Sequence, residues 1–392
     1  MRLLFVADGR SPIALNWIQH FLKTGDEVHL VSTFACAPEP GFASYHFVPV
    51  AFSALKRADG AGSQPAALGT TVRLRTQVRQ WLGPFTLGSA ARRLKQIVAQ
   101  IQPDLVHALR IPYEGMLAAA ALRGLQPPLL ISVWGNDFTL HAPSTPLMRY
   151  NTRRALQRAD ALHADCQRDV RLARGWGFAA QKPAIVLPGA GGVQSEVFYP
   201  NPSAVRAPVI INPRGFRAYV NNAAFFRAIP KVLAAQPAAR FLCPAMLEQP
   251  QARQWAAELG VASSVELLPR QQRSQMAQLF RQARIVVSPS NHDGTPNTLL
   301  EALACGCLPV AGDLESIREW ITPEENGLLV DPNDPQALAQ AMLRAIVDDE
   351  LVERARRINA ELILRRAEHK TVMQEAEVFY RTLLETALNP PE

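Results

Sequence analysis

No apolar run in the 392 residues approaches the 18 or more that a membrane-spanning helix needs; the most continuous, Met116 to Leu122, is far too short. The amino terminus, MRLLFVADG, offers only about five apolar residues before Asp8, less than the apolar stretch of a secretory signal. It reads as a first β-strand, and the chain is expected to stay in the cytoplasm. Cysteine is scarce, five in all, and Cys305-Gly306-Cys307 lacks the second pair a zinc site requires, so reduced structural thiols are expected. No helix-turn-helix, RNP or zinc-finger pattern is present, which argues against a nucleic-acid partner. No strand runs into G-x-G-x-x-G with an acid about twenty residues later, which disfavours a dinucleotide-dependent oxidoreductase. Charged residues are held to 19% against 48% hydrophobic, the balance of a folded chain and not of a disordered one.

What the chain does have is length for two domains, at roughly 150 residues each, and a repeated alternation of short apolar runs with helical stretches. In the first half the runs are Leu3 to Ala7, Val28 to Ser32, Asp104 to Ala108, Leu129 to Trp134, Ala161 to Ala164 and Ala184 to Pro188. In the second they are Val209 to Asn212, Arg240 to Cys243, Val265 to Leu268, Ile285 to Ser288, Pro309 to Ala311 and Leu328 to Val330. Strands that alternate with helices build parallel sheets through right-handed crossovers, so the expected class is α/β with two Rossmann-like, doubly wound domains facing a central cleft. The expected division is 1–200, 201–370 and a final helix, 371–392, crossing back to the N-terminal domain. The seam is expected near Tyr199-Pro200-Asn201-Pro202-Ser203. Ala58 to Gly69 reads as a loop.

The net charge of +7 is uneven: residues 1–200 hold 21 Lys and Arg against 12 Asp and Glu, and the remainder 20 against 22. The excess gathers in Thr71 to Gln100, where Arg73, Arg75, Arg79, Arg92, Arg93 and Lys95 occur with no acid, beside Trp81, Leu82 and Phe85. Such a segment is either a solvated helical face or a surface that meets anionic lipid.

The most informative stretch is Val287 to Gly312, VSPSNHDGTPNTLLEALACGCLPVAG. A strand ends at Pro289, a loop with Asp293-Gly294-Thr295-Pro296 follows, and a helix starts near Asn297 with unpaired amides at its start. That is a ready site for an anion. Asp293 and Glu301, eight residues apart, can then face one ligand; the alternative is an Asx-turn and a solvated helix residue.

The segment resembles the signature of the GT4 family of retaining glycosyltransferases with the GT-B fold, an E-x7-E pair followed by an EA-A-G-PVV run, here Asp293 to Glu301 with Glu301-Ala302-Leu303-Ala304-Cys305-Gly306-Cys307-Leu308-Pro309-Val310. Asp293 stands where glutamate is usual. The resemblance implies a nucleotide-diphosphate sugar as donor and a hydroxyl acceptor, with the sugar gripped by Asp293, the ribose by Glu301 and the donor bordered by Gly294, Thr295, Pro296, Asn297 and Thr298, whose N–H groups take phosphate oxygens. The chain contains no D-x-D metal motif, so positive side chains are expected to offset the charge of the diphosphate, and no metal or cofactor is expected. The candidates are Arg214 and Arg217, in Asn212-Pro213-Arg214-Gly215-Phe216-Arg217, with Arg217 substituting for a lysine that the family places where Tyr219 stands. Leu268, Pro269 and Arg270 are expected against the base. In the first half, Gly9 is implied to approach the donor phosphates. Trp134 and Asp137, in a loop similar to the family's H-G-S-D, are implied to line the acceptor pocket. His107 ends a strand and is either a third acceptor ligand or a packed structural histidine.

The resulting expectation is a retaining, metal-independent hexosyl-type transferase acting on a glycolipid, polysaccharide or small glycoside, cytoplasmic and peripheral at the inner face of a membrane through residues 71–100. The alternatives are a non-catalytic sugar- or nucleotide-binding subunit of a glycan assembly complex, and a glycoside hydrolase that uses Asp293 and Glu301 as acid and base but needs no diphosphate cradle.

Overall fold

The structure, a computed structural model, describes residues 1–38, 40–55, 77–201 and 207–388. The loop 58–69, Arg73, Arg75, Pro202 and Ser203 lie outside them. The chain divides into two compact units, Met1–Gly191 with Val372–Glu392, and Gly192–Thr371. The first division falls ahead of the proline-rich stretch at 199–203, where the sequence places the seam.

The first unit is a seven-stranded sheet of β1 (Arg2–Ala7), β2 (Glu27–Ser32), β3 (Ser44–Phe47), β4 (Leu105–Ala108), β5 (Leu129–Val133), β6 (Ala161–Ala164) and β7 (Ala184–Val186). Their order is β3-β2-β1-β4-β5-β6-β7, and every neighbouring pair is parallel. Period-2 alternation sends β1 side chains to two cores. Leu4 and Val6 pack with Leu94 and Val98 of helix Leu87–Ile101, and Leu3 and Phe5 with Trp17 and Phe21 of helix Pro12–Lys23. Because helices cover both faces, the inner strands read as unbroken apolar runs. The helix Pro12–Lys23 starts where Ser11 accepts a hydrogen bond from the Ala14 amide at 3.4 Å and a proline fills the first turn.

The C-terminal helix His369–Leu388 completes this unit: Tyr380 stacks on Phe21 with ring centroids 4.7 Å apart, and Glu377 meets His20 Nε2 at 2.6 Å.

The second unit is a six-stranded sheet of β8 (Val209–Ile211), β9 (Arg240–Cys243), β10 (Val265–Leu267), β11 (Ile285–Ser288), β12 (Leu308–Gly312) and β13 (Leu328–Val330), in the order β10-β9-β8-β11-β12-β13 and again parallel throughout. Ile210, Phe241 and Val287 face one core, and Ile211, Leu242 and Val286 the other. In each sheet the chain fills one side first and then returns to the other, so the order reverses between β1 and β4 and between β8 and β11. At such a reversal the loops that leave the carboxyl ends of the two strands diverge and open a crevice.

Candidate functional site

The reversal in the second unit brings Arg214 and Asp293 together. Arg214 follows β8 in a turn held by side-chain amides: Asn212 Oδ1 accepts from the Arg214 amide at 3.2 Å, Asn212 Nδ2 donates to Asn222 at 3.0 Å, and Asn222 Nδ2 donates to the Gly215 carbonyl at 3.0 Å. Gly215 sits at φ +63°, a region that favours glycine. The turn aims the Arg214 guanidinium at the loop after β11, where it donates to the Asp293 carboxylate and, at 3.2 Å, to Thr298 Oγ1. Arg214 is 7% exposed, and among the described residues its Nε has no partner.

The Asp293 loop is braced from the next crossover. Ser316 Oγ donates to the Asp293 carbonyl at 2.7 Å and Trp320 Nε1 to Thr295 Oγ1 at 2.9 Å. Gly294, Thr295 and Pro296 are buried, and helix Asn297–Ala304 opens after Pro296 without a side-chain cap. The amides of Asn297 and Thr298 meet no acceptor among the described residues. A guanidinium and two open amides at one helix start form a cradle for an anion.

Glu301 lies one turn farther along that helix. Burial pushes its carboxyl up to about 7, against the opposing pull of Arg273 at 3.8 Å. Asp293 and Glu301 therefore bracket the helix start, each with its own arginine. Leu268 and Pro269 lock the loops after β9 and β10 together, their carbonyls accepting from Met246 at 3.0 Å and Ala245 at 3.1 Å, and leave Pro269 and Arg270 exposed. Arg217 is exposed and donates to the Tyr219 hydroxyl at 2.7 Å.

In the first unit the geometry shows what surrounds Gly9 and His107. A Cβ on Gly9 would lie 2.5 Å from Cys36 Sγ and 2.9 Å from Ser32 Oγ, so the close approach that needs glycine here is to the protein's own side chains. His107 is fully buried and belongs to a polar chain whose protons follow from its two ends. The Leu187 carbonyl can only accept, so His163 Nε2 donates to it at 2.9 Å and Nδ1 must accept from Ser132 at 2.8 Å. Ser132 then accepts from His107 Nε2 at 2.8 Å, His107 Nδ1 accepts from the Tyr380 hydroxyl, and the Tyr380 oxygen accepts from Trp17 Nε1 at 2.9 Å. Every proton has one place, both imidazoles are neutral, and burial holds both below the usual histidine range, His163 at about 4. His107 thus has the surroundings of a packed histidine, the second of the two readings.

Asp137 is equally committed to the protein. It accepts from Arg110 Nε at 2.9 Å, from the Trp134 amide at 3.2 Å and from the Ile111 amide at 3.4 Å, while burial raises its carboxyl above the usual range. Trp134 is half-buried under Arg110, whose guanidinium carbon is 5.9 Å from the ring, and its Nε1 has no partner among the described residues.

Sequence reasoning passed over Glu114 and Arg110 at the β1–β4 reversal and read Arg79 only as part of the basic segment. Glu114 is buried there, accepting from Thr33 at 2.6 Å, and Arg79 lies over the rings of Phe34 and Tyr113 at 5.2 and 4.8 Å. The signal for Arg110 was available, because it leaves the same strand as His107. Among the described residues, Asp165, Cys166 and Asp169 stand close enough to hold a metal ion, but Arg168 bonds Asp169 at 2.8 Å and already supplies the counter-charge.

The family model described as Glycosyl transferase 4-like matches residues 2–166, and that described as Glycosyl transferases group 1 matches residues 208–348. The chain belongs to the GT4-related glycosyltransferase family and has the GT-B fold. This GT4-related chain is 36% identical over 93 residues to the D-inositol 3-phosphate glycosyltransferase of Salinispora tropica, a match covering 24% of the chain and 19% of that protein. It is 31% identical over 105 residues to that of Corynebacterium urealyticum, covering 26% and 25%. These matches thus span a quarter or less of the curated relatives' length. The fold is similar to that of sucrose-phosphate synthase from Thermosynechococcus elongatus, with a TM-score of 0.76 over 98% of this chain and 100% of the other at 16% identity. It is similar also to Anabaena HepE in complex with UDP, with a TM-score of 0.73 over 97% and 100% at 16% identity. For the GT4-related chain, as for any member of this fold, two Rossmann-like units are the framework and the loops at the strand ends carry the specificity.

Described helices include none long and apolar enough to cross a membrane.

Proposed function

We propose that the chain transfers a glycosyl group from a nucleoside-diphosphate sugar to a hydroxyl, with retention at the anomeric carbon and without a metal ion. The observation that carries this reading is the Arg214 guanidinium, buried at the β8–β11 reversal beside two open helix amides and the Asp293 carboxylate. When the anomeric carbon–oxygen bond breaks, its electron pair and the new negative charge go to the diphosphate. Arg214 and the amides of Asn297 and Thr298 stabilise that charge without reorganising. The acceptor oxygen bonds to the anomeric carbon on the face the leaving group departs from, and its proton goes to the departing phosphate oxygen, so no separate base is needed. Asp293 takes a sugar hydroxyl, Glu301 the ribose, and Leu268 to Arg270 border the base. Arg217 moves from Tyr219 to the diphosphate once a donor is bound. The first unit takes the acceptor at the β1–β4 reversal, a hydroxyl on a glycolipid, polysaccharide or small glycoside met at the inner face of a membrane.

Calorimetric titration with UDP, GDP and ADP and their sugars tests the reading. UDP is the first choice because HepE is solved with it. One diphosphate is expected to bind with a strong loss in Arg214→Ala, and its sugar to be hydrolysed or transferred above background. Binding by none of them overturns the donor site; binding without turnover in the presence of candidate acceptors favours the non-catalytic alternative.

A further inference from the structure

Residues 77–86 carry a helical stripe that points the wrong way for a folding core. Val78, Trp81, Leu82 and Phe85 stand at i, i+3, i+4 and i+7, the spacing of one helix face, yet they are 44%, 57%, 49% and 71% exposed. The stripe is not left outside by looseness, because the opposite face is bolted down. Tyr113 Oη donates to the Arg79 carbonyl at 2.5 Å, Thr145 Oγ1 to the Gln80 carbonyl at 3.3 Å, and Thr86 Oγ1 accepts from the Ala51 amide at 2.8 Å. A Cβ at Gly83 would come within 2.9 Å of Ala51 Cβ. The backbone is therefore pressed onto the first unit and the four bulky side chains are held outward.

Charge tells what covers them. The thirty residues Thr71 to Gln100 contain no Asp or Glu, and the adjoining helix Leu87–Ile101 exposes Arg92, Arg93 and Lys95. Arg79 is not part of this basic face, since its guanidinium turns inward over Phe34 and Tyr113. Aromatic and aliphatic side chains held outward next to exposed cations match an acyl boundary beneath anionic headgroups.

We infer that Val78, Trp81, Leu82 and Phe85, with Arg92, Arg93 and Lys95, form the surface by which the chain docks on an anionic bilayer. The same short segment lays Arg79 beside Tyr113 at the β1–β4 reversal, so the docked face and the end of the first sheet are joined through one turn of helix. An acceptor held in the bilayer would enter there. This deepens the membrane-proximal reading given above, and vesicle binding is measured without donor or acceptor, so failure of the surface and failure of the transferase reading are separately visible.

Flotation of the full chain with vesicles of phosphatidylcholine alone, or with added phosphatidylglycerol, tests the surface. The chain is expected to float only with the anionic vesicles and to be released by salt as the Debye length falls from about 10 to about 3 Å. Leu82→Glu with Phe85→Glu should abolish flotation, and Arg92→Glu, Arg93→Glu and Lys95→Glu together should weaken it by roughly two orders of magnitude. Both variants should keep the parent's circular dichroism and nucleotide affinity. Brominated lipid should quench fluorescence in the parent and less in Trp81→Phe. Flotation that ignores lipid charge and salt, or that survives Leu82→Glu with Phe85→Glu, overturns the inference. So does self-association of the parent that this variant abolishes while neither protein floats, which would make the stripe a contact between copies.

Discussion

Arg214 and Asp293 show how far single residues could be read in advance. Both leave the carboxyl ends of strands, and their meeting follows from the order in which the strands pair. Replacing Arg214 by Ala should lower kcat/KM for the donor by roughly a hundred- to a thousandfold, as removal of one preorganised donor to a developing anion does elsewhere. Lys in its place restores charge without the fork that meets Asp293 and Thr298 together, and should recover only part. Glu301 gives a pH test. Its carboxyl sits at about 7 because burial disfavours the charge, and in the proposed function the carboxylate is the form that accepts from the ribose hydroxyls. Affinity for the nucleotide sugar should therefore fall as pH drops through 7, and Glu301→Gln should flatten that dependence in calorimetry. The bracing by Ser316 and Trp320 was not legible, since a side chain that supports a loop from a different crossover has no spacing signature. Gly9 was legible as a turn but not in its reason. Gly9→Ala should cost about 1–3 kcal/mol by overpacking against Cys36 and Ser32, and Cys36→Ala in the same chain should return part of it in chemical denaturation.

Elements with a strong apolar pattern were read nearly to the residue, as with β6, β9, β11 and β13. The strand β3 was missed because Ser44–Phe47 is a short edge strand, half-buried along its length, with neither alternation nor a closed apolar run. Helix Asp349–Arg366 was missed because a charged sequence hides a narrow buried stripe of Leu351, Val352, Ala355, Asn359 and Ile363. Helix His369–Leu388 was read as an element, but what it does was set by Tyr380. Tyr380→Phe strands the Trp17 N–H and the His107 Nδ1 and should cost about 1–3 kcal/mol, read as a lowered denaturation midpoint. The same polar chain is acid-sensitive. Unfolded histidine titrates near 6.5, and burial holds His107 and His163 below that, His163 at about 4. Between those values the unfolded chain binds more protons, so the stabilisation is complete above pH 6.5 and is lost as pH falls toward 4. Hydrogen exchange in helix His369–Leu388 should accelerate over that window, and Tyr380→Phe should remove much of the change.

At the scale of the whole molecule, the first unit is built from non-contiguous chain: residues 372–392 belong with residues 1–191. Ending the chain after Thr371 should lower the unfolding temperature of the first unit, which loses Met373, Ala376, Tyr380 and Leu383 from its core. The proposed donor residues Arg214, Asp293 and Glu301 lie within residues 192–371, so nucleotide affinity should be retained. Calorimetric scanning with and without UDP separates the two effects, because ligand should raise only the transition of the second unit. Loss of nucleotide binding in the shortened chain would refute that independence.

By itself the sequence determined the α/β class, the alternation that builds two parallel sheets, the loops that carry Arg214 and Asp293, and the family, because these follow from local periodicity and from motifs of adjacent residues. Tertiary structure alone decided what His107, Asp137 and Gly9 pack against, since each meets a partner remote in the chain, Tyr380, Arg110 or Cys36. It also decided that Arg79 faces inward while Val78, Trp81, Leu82 and Phe85 face out: a helix pattern shows that two faces differ, and only the packing of Tyr113, Thr145 and Ala51 against one of them fixes which is buried.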